Sequence, residues 1–191
     1  MLEDVKQIGL FEVPILRIVT SLDNQAIADY SIEHFKTWNR YTTYHDRDLN
    51  SRWQEGIPGR DKLENAILQA GVEFVNRTGR RKFKDAPFMY YWCSVYHEGD
   101  QHGSHNHPGS LVAGTYYPSV GDSSSSIILE APWKSHIMHD NIPPGKYDYK
   151  PNPGDMLVWP SWIDHRVPVQ GPSNITRIAI SFNLDYKRYH D

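Results

Sequence analysis

Three histidines and one arginine carry the spacing from which chemistry can be argued: His105, His107, His165 and, 12 residues beyond the last (177 − 165), Arg177. Side chains on an extended segment alternate with period 2, so His105 and His107 point the same way only if their segment is strand-like. On a helix they would lie roughly 200° apart and could not share an ion. Neutral imidazole suits iron, zinc, copper and nickel. Three protein ligands leave coordination positions open, the mark of a working centre rather than a structural one. Arg177 opens an apolar strand, and its planar fork grips a carboxylate through two parallel hydrogen bonds. The chemistry implied is that of a metal with open positions beside a cation placed for an anionic co-substrate.

Seven of the ten histidines lie between His97 and His165, and any single one is more often a surface or hydrogen-bonded residue than a ligand. Spacing lifts three of them above that background. His105 and His107 share a direction. His165 follows an apolar strand, Met156 to Trp159, that ends in a proline turn able to aim the next residue back inward. The last strand separates two faces: Ile178, Ile180, Phe182 and Leu184 on one, Arg177, Ala179, Ser181 and Asn183 on the other. An apolar outer face under helices and a polar inner face fit a barrel with a ligand cavity. A buried guanidinium needs a fixed anion. No acidic residue on its own strand face precedes Asp185, so a carboxylate ligand is the natural partner.

The elements that must position these residues fall into two parts of one expected domain, 1–191. In the first, 1–86, Leu10 to Val19 reads as a strand that Pro14 confines to an edge or a bulge. Ser21 to Asn24 offers helix N-caps for a helix over Gln25 to Asn39. Asn39 to Gly59 reads as a loop. Asp61-Lys62-Leu63-Glu64 resembles a capping box, after which Leu63, Ile67, Ala70 and Phe74 recur at helical spacing toward a stop at Gly79. In the second part, 87–191, short strands are expected at Phe88–His97, Leu111–Pro118, Ser125–Ala131, Lys146–Lys150, Met156–Trp159, His165–Val169 and Ile175–Asp185, separated by Gly/Pro turns. The fold class is mainly β (α+β), a jelly-roll with the N-terminal helices packed on one sheet.

Composition narrows the function classes. With 20 basic and 23 acidic residues the net charge is −3, so no basic field favours nucleic acid. The basic run Arg77, Arg80, Arg81, Lys82 and Lys84 reads as a solvated loop. The single cysteine, Cys93, excludes an intramolecular disulfide and thiolate-rich zinc sites. The N-terminus lacks the pattern of a signal peptide, and no apolar run approaches the ~18–20 residues that span a bilayer, so a cytoplasmic location is expected.

The segments Leu10-Phe11-Glu12-Val13-Pro14, Gly99-Asp100 through His105-Asn106-His107-Pro108-Gly109-Ser110, and Arg177-Ile178-Ala179-Ile180-Ser181-Phe182-Asn183 resemble those of 2-oxoglutarate- and iron(II)-dependent oxygenases. The likeness lies in the branch that includes prolyl hydroxylases, and within it with a bacterial and phage group of uncharacterised members. It is strongest from Tyr96 to Asn183. The resemblance implies a double-stranded β-helix holding Fe(II), with 2-oxoglutarate and O2 as co-substrates. It implies hydroxylation of a C–H bond of a peptide or small metabolite, with release of succinate and CO2. His105 and His165 match the two ligand histidines, and the family's carboxylate position falls on His107. The third ligand is then His107 itself, a carboxylate such as Asp100 or Glu130, or water; the parity with His105 favours His107. Arg177 would hold the distal carboxylate of 2-oxoglutarate with Tyr117 and Ser181 as hydroxyl partners, and Tyr96 would contact the co-substrate's other end. Trp133, His136, His139, Trp159 and Trp162 are candidates for the substrate mouth.

Two other readings compete. A cupin-type three-histidine dioxygenase or isomerase that uses no 2-oxoglutarate shares the spacings Gly99-x5-His105-x-His107 and Gly154-x5-Pro160. It lacks the first motif's glutamate, carries Trp162 where the second motif has glycine, and gives Arg177 no role. A non-enzymatic, metal-stabilised jelly-roll module leaves the inward arginine unexplained.

Overall fold

The computed structural model describes residues 13–36, 38, 41–78, 87–121, 126–131 and 145–185. Among these residues nine strands and three helices follow one another as β1 (Leu16–Val19), α1 (Asn24–Phe35), α2 (Arg47–Glu55), α3 (Arg60–Arg77), β2 (Phe88–Tyr96), β3 (His102–His105), β4 (Val112–Ser119), β5 (Ile127–Glu130), β6 (Lys146–Tyr149), β7 (Asp155–Pro160), β8 (His165–Val167) and β9 (Arg177–Asp185). The strands form a five-stranded sheet, β1-β7-β4-β9-β2, and a four-stranded sheet, β3-β8-β5-β6, with every pairing antiparallel. This is the expected double-stranded β-helix. β1 lies at a sheet edge, where the preceding Pro14 costs no ladder hydrogen bond.

The large sheet has two buried faces with different partners. On its outer face Cys93, Val95, Val112, Tyr116, Met156, Val158, Ile178, Ile180, Phe182 and Leu184 pack against Ile27, Phe35, Trp53, Leu63, Ile67 and Phe74 of the helices. On its inner face Tyr96, Ala113, Tyr117, Leu157, Trp159 and Ala179 meet Ile127, Leu129 and Val167 of the small sheet. Strand alternation puts the two sets on opposite sides of the same strands. Gly71 of α3 permits the approach of the helix: a Cβ there would collide with the side chain of Leu184.

The helices depart from sequence expectation in instructive ways. α1 starts as expected, with the Asp23 carboxylate accepting from the Ala26 N–H at 3.1 Å, but ends at Phe35 rather than Asn39. α2 occupies a stretch expected to be loop. The Asp46 carboxylate caps it by accepting from Leu49 N–H at 3.0 Å, and Leu49 and Trp53 are its buried apolar positions. The capping box expected at Asp61–Glu64 does not form: α3 begins at Arg60 behind the left-handed Gly59 (φ 67°), so Asp61 already lies inside the first turn. Glu64 instead accepts from Arg60 Nε and the Tyr91 hydroxyl, both at 2.7 Å. The expected stop at Gly79, the basic residues Arg80 to Lys84, the start Leu10–Glu12 and the segment 122–125 lie outside the described residues. No helix among the described residues is long and apolar enough to cross a membrane.

Candidate metal centre and co-substrate site

His105 ends β3, His165 opens β8, and the two pair across the small sheet. His107 follows two residues beyond β3, its backbone N–H donating to Ser161 O at 2.9 Å. One donor atom from each of the three rings lies within 4.8 Å of the others. Ring centroids are 4.2 Å apart for His105 and His165, 5.2 Å for His105 and His107, and 5.1 Å for His107 and His165.

Tautomers follow from the backbone. His105 Nδ1 meets Gly103 O at 2.8 Å and His165 Nδ1 meets Ile163 O at 3.0 Å. A carbonyl only accepts, so Nδ1 carries the proton in both and Nε2 presents a lone pair. Such a hydrogen bond on the remote nitrogen fixes the orientation of a ligating imidazole. Burial, reinforced by the adjacent His105, lowers the pKa of His107 to about 4 and that of His165 to about 3. Both are thus neutral, ligand-ready imidazoles at pH 7. His102 stacks on His105 with centroids 4.2 Å apart, and burial lowers its pKa to about 4.

The other candidates for the third ligand are engaged elsewhere. Asp100 accepts from the His97 N–H at 2.7 Å, and Glu130 accepts from Ser104 at 3.1 Å and Arg166 at 3.0 Å. Among the described residues the donor cluster is three imidazoles.

Arg177 is 2% exposed, at the start of β9 and directly across from Tyr96. Its guanidinium carbon lies 5.5 Å from the ring centroid of Tyr96 and 5.4 Å from that of Tyr117, so two aromatic rings flank the cation. Burial raises the pKa of both phenols, which the nearby guanidinium partly opposes, and they remain protonated donors at neutral pH. Between this end and the histidines the inner face carries Ser94, Ala113, Thr115, Ala179 and Ser181, all small. Trp92 closes the other end, 5.6 Å from His107 and directly across from Ser181.

The register also shows where two further candidates lie. Ser181 stands two inward positions along β9 from Arg177, about 13 Å of strand. Its hydroxyl bonds Thr115 at 3.2 Å, so the structure does not bring it to the guanidinium. Tyr96 shares the rung of Arg177 and so lies at that end of the cavity rather than the opposite one. The Tyr117 ring lies beside the guanidinium.

Of the expected mouth residues, Trp159 is buried with its ring 5.0 Å from His165, Trp162 is 43% exposed, and Trp133, His136 and His139 lie outside the described residues. Sequence reasoning missed the aromatic wall beside His107, where Tyr44 and Tyr90 pack on Trp92 with centroids 4.7 and 5.5 Å away. The alternation Tyr90-x-Trp92 on the face shared with Tyr96 was the available signal.

The fit of a metal and an anionic co-substrate can be judged from these residues. Three partly enclosed imidazoles form a nitrogen donor set suited to Fe(II). The Tyr117 hydroxyl and Trp159 Nε1 are buried without a well-formed hydrogen bond among the described residues, so donors stand ready in the cavity wall.

Residues 90–183 match the family described as "Putative 2OG-Fe(II) oxygenase". That span includes all three histidines and Arg177. No curated protein matches the sequence. Among solved structures, the fold is similar to a prolyl-4-hydroxylase from Pseudomonas putida, at TM-score 0.59 and 12% identity over 92% of this chain and 94% of that one. It is similar to AviO1 from Streptomyces viridochromogenes, at 0.60 and 12% over 91% and 90%. A third is HygX from Streptomyces hygroscopicus, solved with nickel and 2-oxoglutarate bound, at 0.54 and 10% over 92% and 83%. At these identities the structural likeness speaks for the fold alone, and the sequence match is confined to residues 90–183. Over residues 90–183 the chain is thus similar to the 2OG-Fe(II) oxygenase family in sequence, and over nearly its whole length it is similar to solved members in fold.

Proposed function

We propose that the protein is an Fe(II)- and 2-oxoglutarate-dependent hydroxylase in which His105, His107 and His165 hold the metal and Arg177 holds the co-substrate's distal carboxylate. The observation that carries this reading is one continuous inner face with three imidazoles at one end and a buried, tyrosine-flanked guanidinium at the other. About 13 Å of strand separates the Trp92 rung beside His107 from the Tyr96 rung beside Arg177. Side chains reaching in from both ends leave a span suited to a five-carbon dicarboxylate.

Bound Fe(II) supplies the coupling of O2 reduction to decarboxylation of the 2-oxo acid, giving succinate, CO2 and a hydroxylated substrate. The chain's own residues bind, orient and enclose. Arg177 fixes one end of the dicarboxylate in a fork, with the Tyr117 hydroxyl as second donor. Ser181 and Thr115 line the middle of the cavity. Trp159 shields His165 from water. The wall of Tyr44, Tyr90 and Trp92 offers its faces to the prime substrate beside the third ligand.

Anaerobic addition of Fe(II) and then 2-oxoglutarate tests this reading. A visible metal-to-ligand charge-transfer band is expected in the wild type and is expected to be lost in Arg177→Ala. A cupin-type enzyme is favoured by one observation, the absence of a carboxylate from the donor cluster among the described residues. It predicts an iron-loaded protein with no such band and no succinate, and that result would overturn the proposal.

A further inference from the structure

The three histidines are not held equally. His105 and His165 each have Nδ1 anchored on a backbone carbonyl two residues upstream. Among the described residues the His107 ring has no hydrogen-bond partner, and its side chain is located by packing against Trp92 and the other imidazoles. What fixes His107 is therefore its backbone, which has left β3 and runs free of the ladder. Two bonds tether it to the segment leading into His165. One is His107 N–H to Ser161 O at 2.9 Å. The other runs between side chains: Asn106 Nδ2 donates to Asp164 Oδ1 at 2.7 Å, across 58 residues of sequence.

Asn106 lies between the two ligands of the first segment, and Asp164 immediately precedes the ligand of the second. Their bond joins the two ligand-bearing segments on the side of His107. On the other side of His105, Ser104 and Arg166 both bond Glu130, a second tie between the same segments.

We infer that Asn106 and Asp164 are a positioning pair that sets His107 as the third metal ligand. The inference rests on the three-histidine metal reading above and goes beyond it by naming what holds the unanchored ligand. The His105–His165 pair stays in place without the tie, because it is fixed by strand pairing and carbonyl anchors. His107 does not. Loss of the tie thus converts a three-imidazole site into one with two firm ligands and a wandering third. Such supporting contacts around metal ligands are worth about 10–100-fold in affinity, and an exposed bond belongs at the lower end.

The test uses Co(II) in the full-length protein without 2-oxoglutarate or O2, so it reads the metal site whether or not the enzyme proves to be an oxygenase. Wild type, Asn106→Ala, Asp164→Ala and the swap Asn106→Asp with Asp164→Asn are titrated, with the d–d absorption spectrum recorded and folding checked by circular dichroism. The swap reverses the donor and the acceptor while conserving charge. About tenfold weaker binding and an altered spectrum are expected for each alanine variant, with both restored in the swap. Wild-type affinity and spectrum in the alanine variants would overturn the inference. So would a folded swap variant that stays as weak as the alanine variants, since the bond itself would then not be what matters. If an alanine variant does not fold, Asp164→Asn decides: it still offers an amide oxygen to Asn106, and it should keep the wild-type spectrum. If no protein binds Co(II), the metal reading itself fails, a result distinct from any difference among variants.

Discussion

The two faces of β9 divide the work of the molecule. Ile178, Ile180, Phe182 and Leu184 have no exposed surface and lie under three helices, whereas Arg177, Ala179, Ser181 and Asn183 face inward between the sheets. The outer residues are large, apolar and interlocked. The inner ones are small or polar, and among the described residues the buried Asn183 Oδ1 has no hydrogen-bond partner. One face packs large apolar side chains into the helix-side core, while the other buries small and polar ones between the sheets. Adjacent residues on one strand should therefore fail in different ways when changed.

The largest effect expected is on the outer face. Phe182 packs over Gly114, where a Cβ would meet its ring, and it is fully buried in the helix-side core. Phe182→Ala is expected to cost about 3–5 kcal/mol of unfolding free energy, measured by urea denaturation of the metal-free protein. Loss of co-substrate binding at unchanged stability would break the division proposed for β9.

Arg177→Met sharpens the contrast from the inner face. The replacement keeps volume and removes the fork. A loss of at least about 100-fold in 2-oxoglutarate affinity is expected, about 2.7 kcal/mol, by isothermal titration with Fe(II) held anaerobically. The stability change should be smaller than that of Phe182→Ala, because a buried ion is weakly stabilising after its desolvation.

Acid should damage the cavity side first. An unfolded histidine titrates near 6.5, whereas burial holds His165 at about 3 and His102 and His107 at about 4 in the folded chain. Between those values the unfolded chain binds more protons. Stability is therefore complete above pH 6.5 and is lost as the pH falls through 6.5 toward 3, by a few kcal/mol. Metal release should fall in the same window, because only the neutral imidazole ligates. Thermal melting of the apo protein across pH 3–8 checks the sign, and replacement of His165 by Phe should flatten the slope.

How far the site could be read from sequence follows the same division. Alternation on β9 and the one-residue gap between His105 and His107 are local facts about extended chain, and both point to the faces observed. The α2 helix was hidden because only Leu49 and Trp53 are apolar positions within it. Its buried Asn50 is satisfied through tertiary contacts, donating to Tyr91 O at 3.0 Å and accepting from Thr43 at 2.6 Å, which no local pattern reveals. The Asn106–Asp164 tie was hidden for the same reason: its partners are distant in sequence and join only through the pairing of β3 with β8. The distance of Ser181 from Arg177 along β9 was hidden too, because composition shows which face a residue shares but not which rung.

At the metal end, His107→Asp restores the charge that a histidine at this position withholds. Three neutral imidazoles leave a divalent ion uncompensated until an anionic co-substrate arrives. The variant is expected to retain Fe(II) about tenfold more tightly in the absence of 2-oxoglutarate, roughly 1.4 kcal/mol, by anaerobic titration against a competing chelator. Tighter retention by the wild type would mean that charge does not set affinity here and that the packing of His107 against Trp92 does.

The smallest effect expected is at Ser181, and it tests the ordering of the cavity most finely. Its hydroxyl bonds Thr115 at 3.2 Å, at the rung of Trp92 rather than that of Arg177. If that order describes the bound state, Ser181→Ala removes one hydrogen bond between neighbours, worth about 0.5–1.5 kcal/mol of stability, and changes 2-oxoglutarate affinity by less than about threefold. A hydroxyl that grips the distal carboxylate is a charge-assisted donor, worth about 1.5–3 kcal/mol or more than tenfold. A tenfold loss on Ser181→Ala would therefore place the dicarboxylate nearer the histidines than the Arg177 rung allows. It would also require the guanidinium to reach along the cavity toward Ser181 rather than stay between Tyr96 and Tyr117.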